Sequence, residues 1–162
     1  MYDYLDRSVG SLDEGSRFLV WSMRGWTQSM AKRRCPLSVL GSGYTRCDLD
    51  AMLPHLHLAM MTLNRDGLDR LGFGAMGCPQ VSEAEAILLA TVGLYARGRV
   101  EQGHATVALL VQEGATVVLR QALAVIALSI SARFPLDRFG SAVDSAPTNS
   151  IKNRIDRGVD GE

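Results

Sequence analysis

The apolar residues of the chain recur at the spacing of amphipathic helices. One set follows steps of four, three and four residues and therefore shares one helix face: Leu19, Met23, Trp26 and Met30. Ser11 followed by Glu14 matches a capping box, which predicts that this first helix begins after Ser11. The helix should end in the run Lys32-Arg33-Arg34, because cations there interact favourably with C-terminal carbonyl groups.

Two further helices are expected between residues 36 and 67. Pro36 suits the first turn of a short helix, and the glycines at positions 41 and 43 are expected to end it. Pro54 lies in the next helix and should bend it or mark its first turn. That helix carries a second apolar stripe: Leu49, Leu53, Leu56, Met60 and Leu63.

The second half of the chain begins with a loop and continues with three helices. Residues 68–80 contain three glycines and a proline, which predicts a loop. Ser82 with Glu85 is another capping box and predicts a helix that closes near Gly98. Segments 100–112 and 116–133 complete the set. The last is apolar nearly all round, which predicts a place at the centre of the bundle.

These segments together predict the fold class. No stretch alternates apolar and polar residues as a half-buried strand would, so we expect an all-α protein with a compact bundle of five or six helices. The bundle should occupy residues 11–134, after a flexible N-terminus over 1–10. Residues 135–162 are rich in Ser, Asp, Asn and Gly with only isolated apolar residues, which predicts a disordered tail.

Composition narrows the environment that we expect. The 17 basic and 17 acidic residues balance, so no overall charge would attract nucleic acid or an anionic membrane. The apolar runs around residues 86–95 and 117–132 fall short of the ~20 residues that span a bilayer, and we expect no membrane association. The three cysteines are an odd number, and the N-terminus lacks a leader pattern, which together favour a cytoplasmic location.

The glycine-rich stretch from Gly72 to Gly77 has the glycine spacing of a dinucleotide-binding turn. Its context differs, because a helical segment precedes it and Cys78-Pro79 separates it from the next helix. We therefore interpret the stretch as a loop that needs glycine for its turns, and we expect no cofactor.

Thiols and imidazoles are the only residues that could suggest a metal or a nucleophile. The cysteines at 35, 47 and 78 are far apart and His55 and His57 face different sides of a helix, so we expect no metal site. Cys35 is a candidate reactive thiol, since it follows two arginines and starts a helix, although burial under the helix turn is the alternative. No other motif indicates catalysis, so enzymatic activity is left open and a non-catalytic role is favoured.

The charged residues are uneven between positions 17 and 47, where six cations occur and no carboxylate. We infer a partner-binding surface from most of these cations and one exposed indole: Trp21, Arg24, Lys32, Arg33, Arg34 and Arg46. The segment also has the size of a helix-turn-helix, but Asp48 and Asp50 begin the second helix and would repel DNA phosphates.

The sequence therefore favours a small intracellular helical binding or regulatory module that acts through a protein partner, which it does not identify. A DNA-binding regulator that uses the basic segment 17–47 is the alternative. A thiol-based redox or metal protein is a third reading. Self-association into a homodimer is left open.

Overall fold

The computed structural model describes residues 4–134, and within them the chain forms six α-helices and no strand. The all-α prediction is therefore confirmed, whereas the predicted tail over 135–162 lies outside the described residues. One short 3-10 turn precedes the first helix and two others separate helices, and two isolated β-bridges occur outside the helices. The helices are α1 (Glu14–Ala31), α2 (Pro36–Arg46), α3 (Leu53–Asp66), α4 (Glu83–Ala96), α5 (Val100–Ala108) and α6 (Thr116–Arg133).

The beginning of α1 differs from the sequence prediction. Asp13 is the N-cap, and its side chain accepts a hydrogen bond from the backbone N–H of Ser16 at 2.8 Å. The Ser11 hydroxyl donates instead to the carbonyl of Ser8 and lies in a 3-10 turn. A carboxylate in the cap position also suits the helix dipole, which explains why Asp13 and not Ser11 caps the helix.

The helix α2 continues through both glycines that were expected to end it. Close packing against α1 explains Gly43, whereas a β-carbon at Gly41 would meet no atom within 4 Å. A side chain at Gly43 would collide with the Trp21 ring, and a β-carbon on Gly25 of α1 would lie 2.6 Å from Leu40. Glycine at positions 25 and 43 allows the backbones of α1 and α2 to approach each other closely. Gly43 therefore serves helix packing and does not form a turn.

The helix α5 also ends earlier than predicted, at Ala108 instead of Gln112. Backbone contacts to the loop after α3 replace its last turn: Leu68 donates to the carbonyl of Leu110, and Gln112 donates to that of Asp66. The bounds predicted for α6 and the capping box of α4 are confirmed.

The core lies where α1, α3, α4 and α6 meet, and α6 packs most extensively against α3 and α4. The predicted stripe of α3 is buried along its whole length. Only a small apolar cavity of about 20 Å³ remains between the four helices. It has room for about one water molecule, so the interior offers no ligand site.

The outer side of α6 corrects the prediction that this helix lies at the bundle centre. Leu119, Leu123 and Ile126 are buried, but Val117 and Leu128 are well exposed on the opposite side. Met30 is a similar correction, because it ends the apolar stripe of α1 yet is 40% exposed. Mean hydropathy records the quantity of apolar residues in a helix, not which of its faces finds a partner.

The N-terminal segment contacts the bundle over the residues 4–10 that the structure describes. Tyr4 is buried against the core. Val9 donates a 2.7 Å hydrogen bond to the carbonyl of Pro79, and Val81 donates one of 2.9 Å to the carbonyl of Arg7. This segment is therefore joined to the loop that precedes α4.

One helical span within residues 4–134, Glu113–Arg133, is long and apolar enough to cross a membrane by length and composition. Its mean hydropathy over an 18-residue window is 1.8, and 39% of that window is buried in the bundle. The buried side of this helix belongs to the core of the protein. A core helix can have the same length and apolar composition as a membrane span.

Candidate functional site

A buried ion pair joins α1 to α4. The Arg24 side chain is 3% exposed and that of Glu85 is 0% exposed. The Nε of Arg24 donates to Glu85 Oε1 at 2.8 Å, and its Nη2 donates to Oε2 at 2.9 Å. Two parallel, charge-assisted hydrogen bonds of this kind fix the geometry of both groups.

The same two side chains also hold the backbone of the loop between α3 and α4. Arg24 donates to the carbonyl oxygens of Cys78 and Gln80, at 2.6 and 2.7 Å. Glu85 accepts from the backbone N–H groups of Gly74 and Ser82, both at 2.9 Å. Four loop groups therefore depend on one ion pair for their hydrogen bonds.

The glycine-rich stretch in this loop has a structural explanation at one position. A β-carbon on Gly74 would lie 2.8 to 3.1 Å from atoms of the Arg24 guanidinium, so a larger residue would displace the ion pair. At Gly72 and Gly77 a β-carbon would meet no atom within 4 Å. Within the glycine-rich stretch, packing against Arg24 thus requires glycine at position 74.

The ion pair also changes the titration of Glu85. Burial alone would raise the pKa of this carboxyl, but the hydrogen bonds from Arg24, Ser82 and Gly74 together lower it. A carboxyl whose pKa is lower in the folded state stabilises the fold above its unfolded pKa. That contribution is lost as the pH falls through the folded pKa.

Arg24 is therefore not part of the partner-binding surface that the sequence predicted. Its four hydrogen bonds all point inward, and it is not available to a partner. Three cations of that set do lie together on the surface, because Lys32, Arg33 and Arg34 are all exposed where α1 ends. None of the three pairs with a carboxylate among residues 4–134.

The turn between α1 and α2 gives these cations a defined backbone. Arg34 donates its backbone N–H to Ser29, and Arg33 donates to Met30, which closes the last turn of α1. Arg33 adopts φ 53°, in the left-handed region that glycine favours. The chain then reverses direction and enters α2 at Pro36.

Two exposed apolar side chains border the cations. Met30 is 40% exposed and Leu37 is 38% exposed. We call this surface the basic corner and define it by six residues: Met30, Lys32, Arg33, Arg34, Cys35 and Leu37. The apolar part of this surface was not predicted, because helical spacing placed Met30 in the core stripe.

The structure places Trp21 and Arg46 away from the basic corner. Arg46 ends α2, about 15 Å from the corner at ~1.5 Å per helical residue. Trp21 is half-buried and packs with Phe18 and Tyr44, at ring-centroid distances of 5.5 and 6.3 Å. The single basic segment read from the sequence is therefore divided between two ends of a helix pair.

Cys35 is exposed and occupies the N-cap position of α2. The nearby backbone N–H and hydroxyl of Ser38, at the start of α2, lower the pKa of its thiol. The alternative that Cys35 is buried is wrong. Cys47 and Cys78 are partly exposed, so buried structural cysteines are not found in the described residues.

The imidazoles do not assemble into a metal site. His57 uses its Nδ1 to accept a 3.0 Å hydrogen bond from the Trp26 indole. Within the range 4–134, no group of three His, Cys, Asp or Glu side chains converges closely enough to hold a metal ion. The described part of the chain thus offers basic, apolar and thiol chemistry at its surface.

Comparison with known proteins adds no further constraint. No family model, curated protein or solved structure matches this chain. A function must therefore be inferred from the chemistry of the surfaces described above.

The ion pair gives a stability prediction. Arg24→Met or Glu85→Gln alone should lower the free energy of unfolding by about 3–5 kcal/mol, because each leaves a buried charge without its partner. Replacing both members of an isolated pair by apolar residues is often neutral. Here Arg24→Met/Glu85→Leu should remain destabilised by about 3 kcal/mol or more, since four loop groups lose their partners.

Urea unfolding of the wild type and these variants measures the effect. Arg65→Met is the matched control, because Arg65 forms an ion pair with Asp66 at the surface, where water screens the charges, and its loss should leave the stability nearly unchanged. A double variant as stable as the wild type would show that the loop does not depend on the pair.

Cys35 gives a reactivity prediction. At neutral pH, limiting iodoacetamide should modify Cys35 before Cys47 and Cys78, because Cys35 is the most exposed thiol and its lowered pKa increases the thiolate fraction. Peptide mass spectrometry of quenched time points measures the three rates. Ser38→Ala should slow Cys35 alone. Equal rates at all three cysteines would contradict the assignment.

Proposed function

We propose that this chain is a non-catalytic, protein-binding module that docks an acidic segment of another protein on the basic corner. The observation that carries the proposal is the combination of three exposed, unpaired cations with two exposed apolar side chains on one turn of the chain. Neither feature alone would distinguish a docking surface from an ordinary solvated one.

The chemistry of the basic corner suits carboxylates on a partly apolar partner. The guanidinium groups of Arg33 and Arg34 can each donate two parallel hydrogen bonds to a carboxylate, which gives direction as well as attraction. Met30 is flexible and polarisable and adapts its shape to different apolar side chains. Complementary charge mainly speeds association and excludes wrong partners, as a regulatory contact requires.

The conformation of Arg33 supports a selected role for this turn. At φ 53°, a residue with a β-carbon destabilises the folded backbone by about 1 kcal/mol, whereas glycine adopts this conformation without that penalty. Strained residues of this kind concentrate at functional positions. Glycine is favoured at this position after a helix. A functional requirement for the positive charge would explain why arginine occupies it instead.

The DNA-binding alternative receives less support from the geometry. The helix that would enter the major groove is α3, and its N-terminal Leu53 is buried. Its N-terminal half exposes Pro54 and Leu58, and the exposed cation of this helix, Arg65, lies at its C-terminal end and pairs with Asp66. The cations of segment 17–47 are divided between two ends of the α1–α2 pair, so they do not form one track along a phosphate backbone.

The proposal predicts a specific loss of binding. Peptides selected on the protein from a random display library should be enriched in acidic residues. Fluorescence anisotropy on the enriched peptides should show at least a tenfold loss of affinity with Arg33→Glu/Arg34→Glu, because the two charges then repel the ligand.

Arg17→Glu/Arg46→Glu is the matched control, since it reverses two exposed charges at the far end of the same helix pair and should leave the affinity unchanged. Peptides without acidic enrichment, or an equal effect of both double variants, would contradict the proposal. Binding of duplex DNA with affinity that falls steeply as salt rises would favour the DNA-binding alternative.

A further inference from the structure

The outer face of α6 carries no charged residue. Its side chains are uncharged, five of them apolar and two polar, with Leu128 71% exposed and Val117 58% exposed: Val117, Gln121, Ala124, Val125, Leu128, Ser131 and Ala132. The half-buried Arg120 borders this face. An exposed helix face normally presents charged residues to water. An uncharged apolar strip along a whole surface helix instead marks a contact surface.

The spacing of this face is that of a helix–helix seam. Positions 117, 121, 124, 128 and 131 follow steps of four, three, four and three, which is the repeat that keeps one stripe against a partner helix. The exposed side chain of Leu58 and the half-buried Met61 of α3 border the strip beside Val118. They widen the apolar surface beyond α6 itself.

A membrane span is not compatible with α6 while the bundle is folded. The opposite side of α6, including Leu119, Leu123 and Ile126, is buried against α3 and α4. A bilayer span would surround the helix with lipid, and these core contacts would have to be lost. The partner must therefore cover one face only.

We propose that the outer face of α6 is the interface between two copies of this chain, related by a two-fold axis that pairs the two α6 helices antiparallel. A two-fold interface requires a self-complementary surface, because the same patch contributes both sides. The α6 strip has this property when its centre is placed between Ala124 and Val125.

Antiparallel pairing about that centre sets each larger side chain opposite a smaller one. Val117 faces Ala132 of the second copy, and Val125 faces Ala124, so neither pair crowds the helices. Leu128 faces the uncharged Gln121. The arrangement also places the two helix dipoles antiparallel, which is favourable, whereas parallel pairing would bring like helix ends together.

The size of the surface predicts a weak dimer. The strip is about 27 Å long at ~1.5 Å per residue. With the border from α3, we expect it to bury roughly 600 Å² on each copy, the lower end for specific interfaces. Dimerisation should therefore depend on concentration in the micromolar range.

Sedimentation equilibrium of the full chain tests the proposal. The wild type should approach twice the 17.6 kDa chain mass at about 100 μM, and Leu128→Glu should sediment as a monomer. Leu109→Glu is the matched control, because Leu109 is also 71% exposed but lines a groove with Asp69 and Arg70, and its variant should still dimerise. Circular dichroism of both variants should show unchanged helix content.

A cross-link tests the register. In a Cys35→Ser background, Ala124→Cys should form a disulfide with its own copy on oxidation, whereas Val117→Cys should do so only when mixed with Ala132→Cys. A monomeric wild type at every concentration, or a dimer that survives Leu128→Glu, would overturn the proposal. A monomer that binds anionic phospholipid vesicles through the same face would overturn it in favour of a membrane contact.

Discussion

The bidentate ion pair between Arg24 and Glu85 is the interaction on which the order of the α3–α4 loop depends. It joins two core helices and satisfies four backbone groups of a loop that contains four glycines. The loop in turn binds the N-terminal segment through backbone hydrogen bonds from Val9 and Val81. A charge pair buried this completely is costly unless all its hydrogen bonds are made, and here nearly all the donors and acceptors have partners. Local backbone conformation alone would leave this loop unsupported.

The helix that carries Arg24 into the interior also carries the basic corner at its end. Packing therefore divides the cations of this segment: Arg24 in α1 is buried in an ion pair, and the three cations after α1 are exposed and form no ion pair within residues 4–134. The outer face of α6 is a second unpaired surface of opposite character, apolar where the corner is charged. If the two proposals hold together, a dimer through α6 presents two basic corners. A partner with two acidic segments would then bind more tightly than either corner allows alone.

Periodicity and capping residues predicted much of the fold, because these signals are local. The stripe of α3, the capping box of α4 and the bounds of α6 all depend on residues within a few positions of one another. The errors concern contacts that are distant in the sequence. The 61-residue separation hides the partner of Arg24, the contact with Trp21 hides the reason for Gly43, and the loop after α3 shortens α5. Likewise, composition placed α6 in the core but could not identify the face that stays exposed.

Native-state hydrogen exchange at the backbone amides of Gly74 and Ser82 tests the central claim most directly, since both amides donate to Glu85. If the ion pair fixes the loop to the bundle, these two amides should exchange only as fast as a core amide such as that of Leu89, through global unfolding. The amide of Gly72, in the same loop but without such a bond, should exchange orders of magnitude faster. Rapid exchange at Gly74 and Ser82, at the rate of Gly72, would show that the loop opens independently and would contradict the account.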